Sequence, residues 1–168
     1  MNKMNTFLKD KYDMKEFNHV SLSNPIPDVS TETIKGKRFY VTPEGKKYPS
    51  ITTVLSGRNS EGLVRWRQSV GNDVANNIMR TAAKRGTAVH TLVENYLNNE
   101  ELSNQDVLPT ALFTLLKPEL DNINNIRIQE GGLYSDYYGV AGRVDCIADY
   151  KGVLSVIDFK TSTKEKKE

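Results

Sequence analysis

The chain has 168 residues, of which 38% are hydrophobic and 26% charged, and its formal net charge is +2. This length predicts one domain with a modest core, and no apolar run approaches the roughly 18 residues that a membrane span needs. The single cysteine, Cys146, excludes an internal disulfide framework and a four-cysteine iron–sulfur cluster, and residues 1–15 resemble neither a secretory signal nor a transit peptide, so a cytoplasmic location is expected.

Charge is unevenly spread along the chain. Residues 35–85 contain 11 Lys and Arg against three acidic residues, a local charge of +8, whereas residues 86–130 are acidic. A basic half of this kind indicates an anionic partner such as a nucleic acid. The alternative is a solvated basic surface without a partner.

The first part of the chain, residues 1–34, shows few periodic apolar positions and contains Pro25 and Pro27. We expect an extended arm or a mobile lead here. Three of its side chains are apolar candidates for docking: Phe7, Leu8 and Phe17.

Residues 35–71 are predicted to form a basic module. Lys37–Val41 favours a strand, and Lys46–Tyr48 favours its return strand after a turn containing Gly45. Ser50 is placed to cap a short helix that Gly57 ends.

A second helix of this module is predicted over Ser60–Val70. Arg65 and Arg67 could bind phosphates, and the ring of Trp66 could stack on a base. The alternative is that Trp66 belongs to the core and the arginines are solvated.

Residues 72–163 are predicted to form the core of the domain, followed by a charged tail over residues 164–168. A long helical pattern covers residues 72–98, with a possible interruption at Gly86. A further helix is predicted over residues 109–122, where Pro118 could split it.

Three strands complete the core: residues 126–134, 140–149 and 153–157. The last is apolar and β-branched and predicts a buried strand. Lys151-Gly152 predicts a two-residue hairpin turn between the second and third strands.

This hairpin brings carboxylates together. If the turn has two residues, Asp145 lies directly opposite Asp158. Directly opposed Cβ atoms are roughly 5 Å apart, and two like charges so close destabilise a sheet unless a cation lies between them. Mg²⁺ prefers a few carboxylates together with water and phosphate oxygens. Lys160 shares a face with Asp158 and could reach the same phosphate. The alternative is two surface aspartates with Lys160 as their salt-bridge partner.

These motifs resemble the PD-(D/E)xK nuclease superfamily and its RecB-like exonuclease branch. The resemblance rests on Gly142-x-x-Asp145, on Asp158-Phe159-Lys160-Thr161-Ser162, and on Gly86-x-x-x-His90 in the preceding helix. More narrowly, the order of motifs from Tyr48 onward is similar to that of bacteriophage exonucleases related to the mitochondrial genome maintenance exonuclease.

The resemblance implies an α+β fold, with a restriction-endonuclease-like mixed sheet flanked by helices. It implies Asp145, Asp158 and Lys160 as catalytic residues. It implies His90 and the Phe159 carbonyl as further ligands of Mg²⁺ or Mn²⁺, with Glu130 as a possible additional one. For nucleic-acid contacts it adds Arg85, Thr87, Thr161 and Ser162 to the basic helix.

The implied function is metal-dependent exonucleolytic cleavage of DNA, single-stranded or at its ends, in phage DNA metabolism. The family core continues with a helix and a fourth strand, for which this sequence has no counterpart after Thr163. We therefore expect a chain truncated after the third core strand, which could require a C-terminal segment or a partner chain. The rival hypothesis is a fragment that binds nucleic acid without catalysis.

Overall fold

The computed structural model describes residues 15–56, 60–102 and 106–161. These residues contain four α-helices and six β-strands, so the predicted α+β class is confirmed. The chain divides into two compact units. Unit 1 comprises residues 1–21, 80–129 and 146–168, and unit 2 comprises residues 22–79 and 130–145.

An antiparallel sheet of three strands lies in unit 2. It orders β1 (Ser30–Ile34), β2 (Lys37–Val41) and β3 (Lys47–Pro49). The strand prediction for Lys37–Val41 is confirmed. The sequence does not predict β1, because its residues show no apolar alternation. Its strand state comes from pairing with β2 through the Lys35-Gly36 turn, where both residues have positive φ (49° and 75°).

Two short helices follow in unit 2, α1 (Ile51–Ser56) and α2 (Ser60–Val70). Ser50 caps α1 as predicted, because its Oγ accepts the backbone N–H of Thr53 at 3.0 Å. Gly57, the predicted end of the helix, lies outside the described residues.

The two longer helices are uninterrupted. α3 (Asn72–Leu97) runs through Gly86, and α4 (Val107–Leu120) contains Pro118 in its last turn. Proline is tolerated there because the backbone N–H of Asp121 still reaches the carbonyl of Lys117 at 2.9 Å and closes the helix. In the described parts of the chain, no helix has both the length and the apolar character needed to cross a membrane.

The second sheet orders β4 (Ile123–Ser135), β5 (Val140–Tyr150) and β6 (Val153–Ile157). Lys151 and Gly152 have φ of 50° and 81° and form the predicted two-residue turn. Tyr150 pairs with Val153, and the ladder continues to Cys146 opposite Ile157. The predicted hairpin and its register are therefore confirmed over these five pairs.

The core of unit 1 lies between α3, α4 and the second sheet. Its most completely buried large side chains come from both helices and both of the longer strands: Tyr96, Leu97, Phe113, Leu120, Ile123 and Cys146. Phe17 also docks here, 3% exposed and edge-to-face with Tyr96 at 5.0 Å. His19 forms a parallel bridge with Ile126, so this N-terminal segment lines the outer edge of β4.

The burial prediction for β6 is wrong. Val153, Leu154 and Val156 are 66%, 61% and 74% exposed. β6 is the edge strand of the sheet, and of its apolar side chains Ile157 packs against the core. Apolar content predicted a strand correctly, but burial also depends on which other segments cover it.

Candidate functional site

Two motifs that lie far apart in the sequence meet in unit 1. His90, half-buried on α3, places its Nε2 2.8 Å from the backbone carbonyl oxygen of Phe159. The two rings also meet edge-to-face, with 6.2 Å between their centres. Phe159 is buried in the core, so the segment that follows β6 is fixed against α3 at this point.

This contact sets the state of the His90 ring. A carbonyl oxygen only accepts, so the Nε2 carries the hydrogen and donates it to Phe159. The 2.8 Å between the two atoms is close to the about 3 Å that separates neighbouring oxygen or nitrogen ligands around an octahedral cation of Mg²⁺ size. The pair is thus spaced as two adjacent ligands would be, but a nitrogen that carries a hydrogen has no lone pair for a metal, so ligation through Nε2 would require this hydrogen to move to Nδ1.

Asp158 and Lys160 flank the fixed carbonyl. Both side chains are largely exposed, and the Lys160 ammonium donates to a carboxylate oxygen of Asp158. The structure therefore contains the salt bridge that formed part of the alternative interpretation of this motif. An exposed pair of this kind contributes little to stability, so it can exchange for other partners at low cost.

The glycine of the Gly86-x-x-x-His90 motif lies next to the same segment. A Cβ built on Gly86 would lie 3.5 Å from the Oγ1 of Thr161, which is ordinary van der Waals contact. Arg85 is half-buried and Thr87 is exposed on the same helix. Ser162 lies outside the described residues.

A cleft of about 230 Å³ opens beside this segment in unit 1. Its wall is mostly apolar, with Lys160 and Thr161 as the polar members: Val89, Leu112, Leu115, Leu116, Phe159, Lys160 and Thr161. The side chain of Lys160 thus borders a cleft whose wall is otherwise mostly apolar.

The other acidic candidates, Glu130 and Asp145, belong to unit 2. Asp145 directly precedes Cys146, whose pairing with Ile157 ends the ladder that leads to Asp158. Asp145 and Asp158 therefore each lie one residue beyond the last pair of the β5–β6 ladder. The thiol of Cys146 is completely buried, as the alternation of the strand predicts.

Glu130 stands out by its backbone. Its φ is +46° in the middle of β4, a left-handed conformation that non-glycine residues rarely adopt. Its carboxylate lies 3.8 Å from the guanidinium of Arg143 on β5. Arg143 was not predicted as a site residue, although its spacing of two from Asp145 places both on one side of the strand.

The glycine of Gly142-x-x-Asp145 has a packing role in unit 2. A Cβ at this position would lie 3.3 Å from the Cδ1 of Ile51 on α1. The neighbouring residue Ala141 forms a parallel bridge with Ser50. The absence of a side chain at Gly142 thus lets the start of α1 approach β5.

The basic helix α2 presents its arginines differently. Arg65 is exposed, whereas Arg67 donates to the Asn76 side-chain oxygen at 2.6 Å and to the Met79 sulfur at 3.3 Å. Trp66 is half-buried. Arg65 is therefore the more available of the two predicted phosphate-binding arginines.

The known proteins that the chain resembles are exonucleases. They are the mitochondrial genome maintenance exonuclease 1 of Homo sapiens, 27% identical over 129 residues, and that of Mus musculus, 26% identical over 160 residues. These matches cover 70% and 89% of this chain but 38% and 46% of the relatives, so the chain spans less than half of their length. No protein-family model matches.

Proposed function

We propose that this chain is a metal-dependent DNA exonuclease of the bacteriophage type, which hydrolyses phosphodiester bonds in single-stranded DNA or at DNA ends. The similarity to mitochondrial genome maintenance exonuclease 1 supports a nuclease function. The observation that carries the proposal is the contact between His90 and Phe159. It joins the Gly86-x-x-x-His90 motif to the Asp158-Phe159-Lys160 motif.

We propose a ligand set of His90, Asp145, Asp158 and the Phe159 carbonyl, with Glu130 as an additional carboxylate. His90, Glu130 and Asp145 are a candidate ligand group by their chemistry. Carboxylate and carbonyl oxygens suit Mg²⁺ and Mn²⁺, and an imidazole suits Mn²⁺ in particular. The donor set therefore fits either ion.

A divalent cation held there would activate a water molecule and offset negative charge at the scissile phosphate. The side chains of the protein would supply the other parts of the mechanism. In the absence of the ion, the contact with Phe159 holds the His90 ring in one orientation, and Nε2 would give up this hydrogen bond to bind the ion. Lys160, now paired with Asp158, must leave that partner to place its ammonium beside the phosphate, where it orients the attacking water or stabilises developing charge.

We propose that polar and basic side chains guide the DNA strand to the site. Arg65 and Arg67 on α2 and Arg85 on α3 would bind phosphates, and the hydroxyl groups of Thr161 and Ser162 would bind the phosphate next to the scissile one. Thr87, exposed at the middle of α3, adds a further hydroxyl group.

The test is degradation of end-labelled single-stranded DNA by the chain with Mg²⁺ or Mn²⁺. We expect loss of label that EDTA, Lys160→Ala and Asp158→Asn each abolish. The matched control is Lys151→Asn, which removes an ammonium from the β5–β6 turn but keeps a residue type that tolerates positive φ. Its cleavage rate should equal that of the wild type.

Two outcomes would contradict the proposal. Cleavage that continues in EDTA, or in Lys160→Ala, would show that the metal and the motif are not responsible. A folded chain that retains DNA in a gel-shift assay but does not cleave it would favour the rival binding function. A circular single-stranded substrate separates exonucleolytic from internal cleavage, because an exonuclease leaves it intact.

A further inference from the structure

Two adjacent aromatic side chains are exposed on the connection between β4 and β5. The rings of Tyr137 and Tyr138 are 88% and 74% exposed, and they meet edge-to-face with 4.8 Å between their centres. Exposed aromatic rings that touch each other rather than the core mark interaction sites more often than they serve stability. Neither tyrosine has a role in the proposed cleavage.

The turn that carries the rings is firmly held within unit 2. Asp136 accepts hydrogen bonds from the hydroxyl of Tyr48 and, at 3.1 Å, from the ammonium of Lys46, and these contacts lower the pKa of its carboxyl group. The backbone N–H of Gly139 donates to the Ser135 carbonyl at 2.9 Å. The rings of Tyr48 and Tyr134 also stack, with 6.0 Å between centres. The turn that carries the exposed pair is therefore already ordered before anything binds to it.

The surroundings of the pair are polar and partly cationic. Lys46 on the neighbouring β2–β3 hairpin keeps 52% of its side chain exposed despite its ion pair with Asp136, whereas Lys47 points to the other face of the hairpin and pairs with Glu32. Aliphatic side chains, which a protein-docking surface would add, do not occur among residues 135–139. Aromatic rings beside lysines are the combination that binds unpaired bases and their phosphates.

We propose that Tyr137 and Tyr138 form a stacking platform for unpaired bases of single-stranded nucleic acid, with Lys46 contacting the adjacent phosphate. The inference rests on the proposed function and names a further part of the substrate that this function would engage. It implies a preference for single-stranded over duplex DNA, because bases in a duplex are already stacked on their neighbours.

The test is the Kd of the whole chain for a fluorescein-labelled oligothymidylate, measured by anisotropy in Ca²⁺ so that binding is followed without turnover. Stacking contributes about 1–3 kcal/mol per base, so Tyr137→Ala/Tyr138→Ala should raise the Kd by roughly 10-fold or more. Tyr137→Phe/Tyr138→Phe keeps the rings and should stay within about twofold of the wild type. Because both positions are exposed, we expect the thermal unfolding midpoint to be unchanged in both variants.

The matched control removes exposed apolar groups elsewhere. Val153→Ala/Leu154→Ala acts on the β5–β6 hairpin and should leave the Kd unchanged. The proposal is overturned if the alanine variant binds oligothymidylate as the wild type does, if the wild type does not bind it, or if affinity for a blunt duplex falls equally. If the wild type binds but does not cleave with Mg²⁺ or Mn²⁺, and the tyrosine variants still bind more weakly, the platform stands and the proposed exonuclease function fails. If the wild type cleaves and the tyrosine variants bind as tightly as the wild type, the exonuclease function stands and the stacking platform fails.

Discussion

Glu130 keeps a backbone conformation that is unfavourable for its residue type. A left-handed φ costs a non-glycine residue about 1–2 kcal/mol, and the carboxylate of Glu130 lies 3.8 Å from the guanidinium of Arg143. Glycines follow at positions 131 and 132, so the strand could accept glycine here as well. The left-handed φ of Glu130 is therefore a reason to propose, and to test, a function for its side chain.

Two substitutions at Glu130 separate strain from chemistry. Glu130→Gly should raise the free energy of unfolding by up to about 1 kcal/mol relative to Glu130→Ala, because glycine adopts this φ without strain. Both variants remove the carboxylate and should lower metal-dependent cleavage alike. Urea denaturation and the cleavage assay measure the two effects. Equal stabilities would show that the conformation is not strained, and unchanged cleavage would exclude the carboxylate from the site.

Asp149 gives a residue-scale prediction for pH. Its carboxylate accepts from the Asn125 side chain at 2.8 Å and from Arg127 at 2.7 Å, and these contacts lower its pKa from the ordinary value of 3.8. Because the folded-state pKa is the lower one, the stabilisation is complete above the unfolded-state value of about 3.9 and disappears as the pH falls through the folded-state value. Asp149→Asn should therefore unfold at a lower temperature than the wild type at pH 7.

The difference in unfolding temperature between Asp149→Asn and the wild type should shrink as the pH falls below the pKa that this carboxyl group has in the unfolded chain. Thermal unfolding followed by circular dichroism across this range measures it. A difference that stays constant with pH would show that the loss comes from changed packing rather than from the charge.

At the scale of elements, residues 15–21 of the predicted arm are a part of unit 1 rather than a free extension. The buried ring of Phe17 packs on Tyr96, and the backbone N–H of Val20 donates to the Ile126 carbonyl at 2.7 Å. This pairing covers the outer edge of β4, and covering an exposed edge prevents unwanted association with other chains.

Phe17→Ala should destabilise the chain strongly. Deleting a buried aromatic ring costs about 3–5 kcal/mol, because apolar contacts are lost and a cavity remains. Urea denaturation measures the change, and the exposed neighbour in Glu16→Ala is the control, expected within about 0.5 kcal/mol of the wild type. A loss below about 1 kcal/mol would mean that the segment is only loosely docked.

Local patterns predicted the elements that local chemistry determines. The Lys151-Gly152 turn and the alternation around it predicted the β5–β6 register, and Ser50 predicted the start of α1. β1 was missed because its residues lack apolar alternation although its partner β2 is adjacent in sequence, and the burial of β6 was predicted wrongly because it depends on which other segments cover the strand. The same limit applies to the packing of Phe17 on Tyr96.

The candidate site was predictable to a smaller extent. Spacing placed Asp145 and Asp158 at matching positions of a hairpin, and it offered Lys160 as an ion-pair partner. The contact between His90 and Phe159 joins residues 69 positions apart, and only a resemblance of motifs linked them beforehand. The left-handed φ of Glu130 and the anchoring of Tyr137 and Tyr138 follow from three-dimensional pairing, which no periodicity encodes.

At the scale of the whole molecule, β6 presents apolar side chains to solvent along an edge strand. Leu154 and Val156 lie on one side of the strand, and both are more than half exposed. An apolar edge of this kind favours association with other chains. Val156→Lys should reduce any concentration-dependent self-association, which sedimentation velocity measures.

The stability of Val156→Lys should stay within about 0.5 kcal/mol of the wild type, since an exposed position loses little on substitution. Val156→Ile is the matched control, because it keeps an apolar β-branched side chain at the same position. A sedimentation coefficient that rises with concentration to the same extent in both variants would show that the β6 edge is not responsible.

The two-residue β5–β6 turn makes the chain sensitive to changes in length rather than in residue type. Each strand alternates its side chains between two faces, so adding one residue to the turn would shift the pairing by one step. Asp158 would then lie opposite a neighbour of Asp145 rather than Asp145 itself. The side chain of Phe159 would point to solvent instead of the core. We expect natural and designed variants of this protein to accept Asn, Asp or Gly at Lys151, which tolerate its positive φ, but no single-residue insertion or deletion between Tyr150 and Val153.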